Sequence, residues 1–240
     1  PRGHHSSSRP ATETLATSRR FWQVLVTTTC GSGRISRDVS ESSTDARLVD
    51  EAVEAIEAGE PVVLPTDTVY GLCTKPGASA TLTRLKGRDE QQPIALLAAD
   101  VDTLFDRVPE LRDHAGLVRA LLPGRLTLIL PNPARRYDWL AGSRPDAIGV
   151  RVPELEGAAR EIVARVGAVA ATSANLHGGP DPHRLEDVPE EIQGAAVLVD
   201  GGELPGTPST VVDLTGSEPK ILREGAVPAT EVLERVEQQD

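Results

Sequence analysis

From Asp45 onward, the apolar residues recur at two different spacings. Leu48, Val49, Ala52, Val53 and Ile56 fall at helical intervals, and Gly59 stands where such a helix ends. Pro61-Val62-Val63-Leu64-Pro65 is a short apolar run between prolines and reads as a strand. The same reasoning predicts helices over 78–86, 111–122 and 155–166, and a last one from 228 or 229 to 238 with Pro at its first turn. Strands are expected over 94–98, 126–130, 148–152, 168–171, 196–199, 209–214 and 221–222. Helices and strands alternate early, whereas the later strands are joined by short, turn-rich segments. That pattern implies an α/β single domain with one twisted, mixed β-sheet flanked by helices.

Residues 1–44 break the pattern. They hold six Arg, three acidic residues, sixteen Ser or Thr and one short apolar patch, Phe21 to Val26. This composition predicts a disordered extension ahead of a folded domain at 45–240. An Arg- and Ser-rich, acid-poor leader also fits an organelle transit peptide; a dispensable extension and an over-long translated start are the other readings. The 240-residue chain carries a formal net charge of −11, so its global field opposes nucleic acid, while a local basic pocket remains open. No apolar run approaches the ~20 residues of a membrane span. Cys30 and Cys73 form no CxxC pair and no zinc-spaced set with histidine, which fits a reducing, cytoplasmic setting and argues against a protein-held metal. Cys73 reads as a small buried hydrophobe rather than a nucleophile.

Against this background three short clusters carry chemistry. Lys86-Gly87-Arg88 follows a predicted helix and supplies a point charge and a planar fork, with a glycine between them that allows close backbone approach. Ser173-Ala174-Asn175 follows a small-residue strand and supplies a hydroxyl and an amide. Together they can clamp a polyphosphate. Pro65-Thr66-Asp67-Thr68-Val69-Tyr70-Gly71 follows a strand, where loops carry binding groups; if extended, it presents Thr66 and Thr68 on one side and Asp67 on the other. Each cluster also has a bland reading: a solvated helix end for Lys86 and Arg88, a polar turn for the other two. Arg151, Arg223 and Ser209-Thr210 stand at strand ends. No GxxxxGK[ST] or GxGxxG loop is present to explain nucleotide binding in the usual way.

Taken jointly, these segments resemble the YrdC-like family, whose best-known members are threonylcarbamoyl-AMP synthases. The matching blocks run in family order from Pro65-to-Gly71 and Lys86-Gly87-Arg88 through Leu122-Pro123-Gly124 with Leu126-Thr127-Leu128, then Val150-Arg151-Val152-Pro153, Ser173-Ala174-Asn175, Ser209-Thr210 and Leu222-Arg223-Glu224-Gly225. The resemblance implies the YrdC-like fold in its short, single-domain form. It implies an enzyme that takes L-threonine, bicarbonate and ATP to L-threonylcarbamoyl-AMP and pyrophosphate, for threonylcarbamoyladenosine formation in tRNA by a separate transferase. By the same resemblance, Lys86, Arg88, Ser173 and Asn175 act on ATP and the reacting carboxyl group, Arg223 stands on the nucleotide side, and Thr66, Arg151 and Ser209 face L-threonine. Mg2+ is expected with ATP, held mainly by phosphate oxygens and water. Two positions depart from the pattern. Leu97 stands where some members place a His, and His177-Gly178 with Asp181 replaces a loop in which Ser is frequent; an acidic Asp181 is expected to avoid the phosphates. Two other readings follow: a double-stranded-RNA-binding module of the same fold, opposed by the acidic charge, and a paralogue that adenylates another carbamoyl or acyl substrate.

Overall fold

Side chains alternate along the central strands so that one face of the sheet is filled with large apolar groups and the other is left hollow. The computed structural model describes residues 38–89 and 91–239. Within them the chain runs α1 (Asp38–Ala58), β1 (Val62–Leu64), β2 (Gly71–Thr74), α2 (Ala80–Lys86), β3 (Ala95–Ala98), α3 (Val101–Arg107), α4 (Ala115–Leu121) and β4 (Leu126–Pro131). It continues through β5 (Ala147–Arg151), α5 (Gly157–Val166), β6 (Ala168–Ser173), α6 (Glu190–Gln193), β7 (Val197–Leu198), β8 (Thr210–Asp213), β9 (Lys220–Arg223) and α7 (Ala229–Glu237). The nine described strands form one sheet in the order β7-β1-β2-β6-β3-β5-β4-β8-β9. Pairs β1–β7, β3–β5 and β4–β8 are parallel and the others antiparallel, so the sheet is mixed as expected.

Leu96, Leu128, Val150, Ala170 and Val212 point to one face, where they meet Leu82 of α2, Leu104 and Phe105 of α3, Leu121 of α4 and Val232 of α7. Their neighbours point the other way. At one end of that second face, Val62, Leu64, Cys73 and Val169 are covered by α1 and α5 through Val49, Val53, Ile56, Ile162 and Val163. Over the rest of that face no helix among the described residues covers it, and β2, β3, β5 and β6 present small residues there: Gly71, Ala95, Ala147, Gly149 and Ala171. Side chains of that size leave a volume unfilled above the strands, and close packing elsewhere keeps it from collapsing.

Several elements differ from expectation. The stretch read as one helix over 111–122 is a 3₁₀ segment, Pro109–His114, followed by α4. Strand β2 and helices α3 and α6 are additional to the expected elements. The turn Pro65–Tyr70 is not extended: Thr66 Oγ1 accepts from the Thr68 and Val69 amides (both 3.3 Å) and donates to the Val69 carbonyl (2.7 Å), which folds the loop back so that β2 pairs with β1. The expectation of a disordered leader lies, for residues 1–37, outside the described residues, and α1 begins at Asp38. No helix among the described residues is long and apolar enough to cross a membrane.

The two faces predict opposite responses from adjacent residues. Val150→Ala removes a fully buried methyl pair and is expected to lower unfolding free energy by about 1.5–3 kcal/mol. A Cβ at Gly149 meets only the Ala95 Cα, at 3.9 Å. Gly149→Leu is therefore expected to leave the urea midpoint near wild type while filling the hollow, read by calorimetry as loss of the ATP affinity that the resemblance implies.

Candidate active site

The hollow is a cavity of 540 Å³, of the size that holds small ligands. Among the described residues it is lined by five Lys and Arg side chains, Lys86, Arg88, Arg144, Arg151 and Arg223, by His177, and by one carboxylate, Asp181. In a chain of net charge −11 the basic groups converge on this recess.

Lys86 is the last residue of α2. Gly87 ends the helix in the left-handed region (φ 63°), which turns the chain so that Lys86 points inward. It is only 4% exposed, so it is not the solvated helix end that its position in the sequence allows. Its Nζ donates to the Ser173 carbonyl and to Asn175 Oδ1 (2.7 Å). Ser173 Oγ donates to the same Oδ1 (2.7 Å), and Asn175 Nδ2 donates to the Gly179 carbonyl (2.6 Å). This fixes which way the amide faces. Burial, reinforced by Arg88, pushes the Lys86 ammonium down to about 8, and Asp181 opposes the shift. Backbone bonds tie the contributing loops together: Ala174 N–H to the Tyr70 carbonyl (2.9 Å) and His177 N–H to the Lys86 carbonyl (3.1 Å).

Arg88 is braced by the protein. Its Nη1 donates to Thr172 Oγ1 (3.1 Å) and its Nη2 to the Pro93 carbonyl (2.6 Å), while its buried Nε has no partner among the described residues. Arg151, at the end of β5, donates through Nη2 to Asp67 Oδ1 and to Thr68 Oγ1 (2.7 Å). Its buried Nε also lacks a partner. Desolvation lowers the Arg151 pKa and Asp67 works against it. Asp67 and Thr68 thus serve one guanidinium, which the alternation expected of an extended loop does not allow. Tyr70 secures the loop from the other side: its hydroxyl lies 3.0 Å from Asp200 Oδ1 and accepts from the Gly201 N–H (2.9 Å).

At the β8 end, Ser209 Oγ and Thr127 Oγ1 are hydrogen-bonded (2.8 Å). Arg223 Nη2 donates to the Ser209 carbonyl (2.8 Å) and Oγ (3.2 Å). A Cβ at Gly225 would lie 2.2 Å from the Pro208 carbonyl, so only glycine lets β9 end against this segment. Leu97 lies opposite Arg151 in the β3–β5 register and is buried, which makes the floor apolar at that point. Cys73 is fully buried and its thiol is pushed up to about 12, so it is no nucleophile at neutral pH.

All eight residues singled out in the sequence line this one cavity. Lys86, Ser173 and Asn175 form a bonded cluster, and Arg88 stands beside them. Ser209 and Arg223, assigned to different ligands by the resemblance, touch each other. Thr66 and Arg151 are linked through Thr68, since Thr66 Oγ1 is 3.0 Å from Thr68 Oγ1. Asp181, expected to stay away, also lines the cavity. Thr127 and Arg144 were not singled out. The signal for Thr127 was present, a hydroxyl on the alternate face of an apolar strand; Arg144 shared with Arg151 only its position near the end of a strand.

Similarity to known proteins extends over most of the chain. The sequence pattern shared by Sua5, YciO and YrdC proteins, described as "Telomere recombination", matches residues 54–225. A putative threonylcarbamoyl-AMP synthase of Mycobacterium tuberculosis is 35% identical over 203 residues, covering 82% of this chain and 93% of that protein. The human threonylcarbamoyl-AMP synthase is 32% identical over 197 residues, covering 77% of this chain and 69% of that protein. Among solved structures, Pyrococcus abyssi Sua5 complexed with L-threonine superposes with a TM-score of 0.70 at 32% identity, over 80% of this chain. This chain spans 58% of that archaeal one. Escherichia coli YciO gives a TM-score of 0.66 at 26% identity, over 78% of this chain and 93% of its own. The shared pattern covers every block that lines the cavity, from Thr66 to Arg223, and with it the chain belongs to the Sua5/YciO/YrdC family.

Proposed function

We propose that the protein is an L-threonylcarbamoyladenylate synthase, a nucleotidyltransferase that makes threonylcarbamoyl-AMP and pyrophosphate from L-threonine, bicarbonate and ATP. One observation carries the reading. Lys86, Ser173 and Asn175 form a fixed cluster at one wall of a recess that also holds Arg88, Arg144, Arg151 and Arg223. The names of the relatives, and the L-threonine with which the archaeal protein is complexed, support it. The basic groups are sunk in a small-molecule cavity rather than spread over a surface, which favours this reading over an RNA-binding module.

The chemistry needs no protein nucleophile. The amine of threonine adds to bicarbonate with loss of water. A carbamate oxygen then attacks the α-phosphorus of ATP, and the bond to the β,γ-pyrophosphate breaks. Lys86 and Arg88 offset the negative charge that develops on the phosphates, Ser173 and Asn175 orient the nucleotide and the attacking carboxyl group, and Arg223 stands beside the nucleotide. Thr66, Arg151 and Ser209 hold L-threonine. Mg2+ enters with ATP. Asp181 is the one lining carboxylate, and no group of three His, Cys, Asp or Glu side chains among the described residues is placed to hold a metal. That donor set fits an ion carried by phosphate oxygens and water, whose role is to neutralise phosphate charge. The adenylate is then consumed by a tRNA threonylcarbamoyl transferase.

The direct test is mass-spectrometric detection of the adenylate. Product is expected with all three substrates present and lost when any one is omitted. Replacing threonine by other amino acids separates this reading from a paralogue that adenylates another carbamoyl group, an alternative that the apolar floor at Leu97 motivates. Absence of product with threonine, together with product from another amino acid, transfers the assignment to that paralogue.

Lys86→Met keeps the stem and removes the charge. It is expected to lower kcat/KM for ATP by about 10²–10³ while the chain still unfolds cooperatively. Wild-type turnover in this variant excludes the phosphate clamp.

The depressed Lys86 pKa fixes a pH window. In the free protein the ammonium is charged below about 8 and neutralises above it. Triphosphate favours the charged form, so ATP affinity is expected to be level below that pH and to fall as pH rises through it. Unliganded stability moves the opposite way. Between about 8 and 10.5 the unfolded chain binds more protons, so unfolding free energy rises with pH in that interval. Calorimetric titration and urea unfolding from pH 7 to 10 check the two slopes, and Lys86→Met is expected to flatten both.

A further inference from the structure

Arg144 is a cavity cation that the reaction described above does not use, and its surroundings differ from those of Lys86. Its Nη1 donates to Asp213 Oδ2 (2.6 Å) and its Nη2 to Thr215 Oγ1 (2.8 Å). Thr215 in turn donates to Asp213 Oδ1 through both its hydroxyl (2.6 Å) and its amide (3.0 Å). The guanidinium is therefore held by its edge and its charge is matched by a carboxylate. Lys86 has no carboxylate within hydrogen-bonding distance among the described residues. A phosphate has little to gain from an arginine already paired with Asp213, whereas the flat face of an edge-bound guanidinium stays free for an aromatic ring.

The walls beside it suit such a ring. Ile94, Ile129, Ala141, Ala147 and Val211 line the cavity near Arg144 and carry no polar side-chain atoms. Between β6, which carries Ser173 beside Lys86, and β8, which carries Asp213 beside Arg144, lie four inter-strand spacings, roughly 19 Å. That span accommodates a triphosphate, a ribose and a base laid end to end. The segment that presents Arg144 is also pinned. Gly142 has φ 60°, and a Cβ there would lie 2.0 Å from the Gln91 carbonyl. Ser143 N–H donates to that carbonyl (3.1 Å), and Ala147 N–H donates to the Arg144 carbonyl (3.0 Å).

We propose that Arg144 lies against the face of the nucleotide base at the apolar end of the cavity and sets a preference for the larger purine ring over a pyrimidine. This rests on the reading of the cavity as an ATP site. Arg144 is then a specificity-determining residue that acts on the base, while Lys86 acts on the phosphates.

The test is calorimetric titration of the full chain with ATP, CTP and inorganic tripolyphosphate, for wild type, Arg144→Ala and Arg144→Lys. In Arg144→Ala, ATP affinity is expected to fall about tenfold, the size of one partly desolvated cation–π contact. The preference for ATP over CTP narrows, and tripolyphosphate binding is unchanged. Arg144→Lys keeps the charge without the planar face and is expected to recover only part of the loss. Unchanged ATP affinity in Arg144→Ala, an equal loss for tripolyphosphate, or full rescue by lysine each overturns the proposal while leaving the ATP site standing. Failure of the wild-type chain to bind ATP at all overturns the site and this inference together.

Discussion

A buried ammonium that, among the described residues, bonds to no carboxylate is the constraint around which this cavity is built. Taking a lysine charge out of water costs several kcal/mol unless oxygen acceptors surround it. Lys86 meets two, the Ser173 carbonyl and Asn175 Oδ1, and both lie in the segment that follows β6. Asn175 can present its oxygen only because its amide nitrogen is held by Gly179 and because Ser173 adds a second donor to that oxygen. The loop from Ser173 to Gly179 is thus shaped by the charge it faces. The depressed Lys86 pKa shows that these acceptors offset the desolvation only in part. What remains is available to an anion, so the free site is poised for a ligand that restores the charge.

The same logic extends to the sheet. Large alternate residues of β3 to β6 and β8 are buried against helices, and the stability of the fold resides there. Toward the cavity, neighbours such as Ala95, Ala147, Gly149 and Ala171 are too small to fill the opposite face, so the rigid strands become a floor. Charge is partitioned as well. The chain is acidic overall, yet the recess gathers basic side chains in low-dielectric surroundings, where field lines concentrate. An anion meets a net negative chain and, in this recess, five Lys and Arg side chains against one carboxylate. Such a distribution favours a small polyanion over a long nucleic-acid strand, which would have to cross the acidic exterior.

The mixed sheet was legible because strand periodicity and flanking turns act locally. The blocks that line the site were legible as polar clusters at strand ends. Other features were harder to read, for identifiable reasons. Strand β2, Gly71-Leu72-Cys73-Thr74, has no strong β signature; it is a strand because the Thr66-centred turn returns it alongside β1 and because β6 pairs with its other edge. Helix α3 did announce itself: Asp100 caps it by accepting from the Thr103 amide (2.6 Å), and Val101, Leu104, Phe105 and Val108 share a face. Its seven residues are short enough for that signal to be passed over. The burial of Lys86 could not be read locally at all, since it depends on loops nearly ninety residues away in sequence. Asp67 as the partner of Arg151 is non-local in the same way.

That last pair separates two kinds of cation in the site. Arg151 and Arg144 each have a protein carboxylate, Asp67 and Asp213, while among the described residues Lys86, Arg88 and Arg223 have none within hydrogen-bonding distance. Paired arginines contribute orientation: a guanidinium anchored along one edge offers its remaining edge or its face in a direction fixed before any ligand arrives. The cost of ordering it is then met in folding and not at binding. Unpaired cations contribute charge: Lys86 and Arg88 do so beside the Ser173 segment, and Arg223, bonded to Ser209, does so at the end of β9. Paired and unpaired cations thus divide two tasks in one recess, fixed orientation from the first and attraction of an anion from the second.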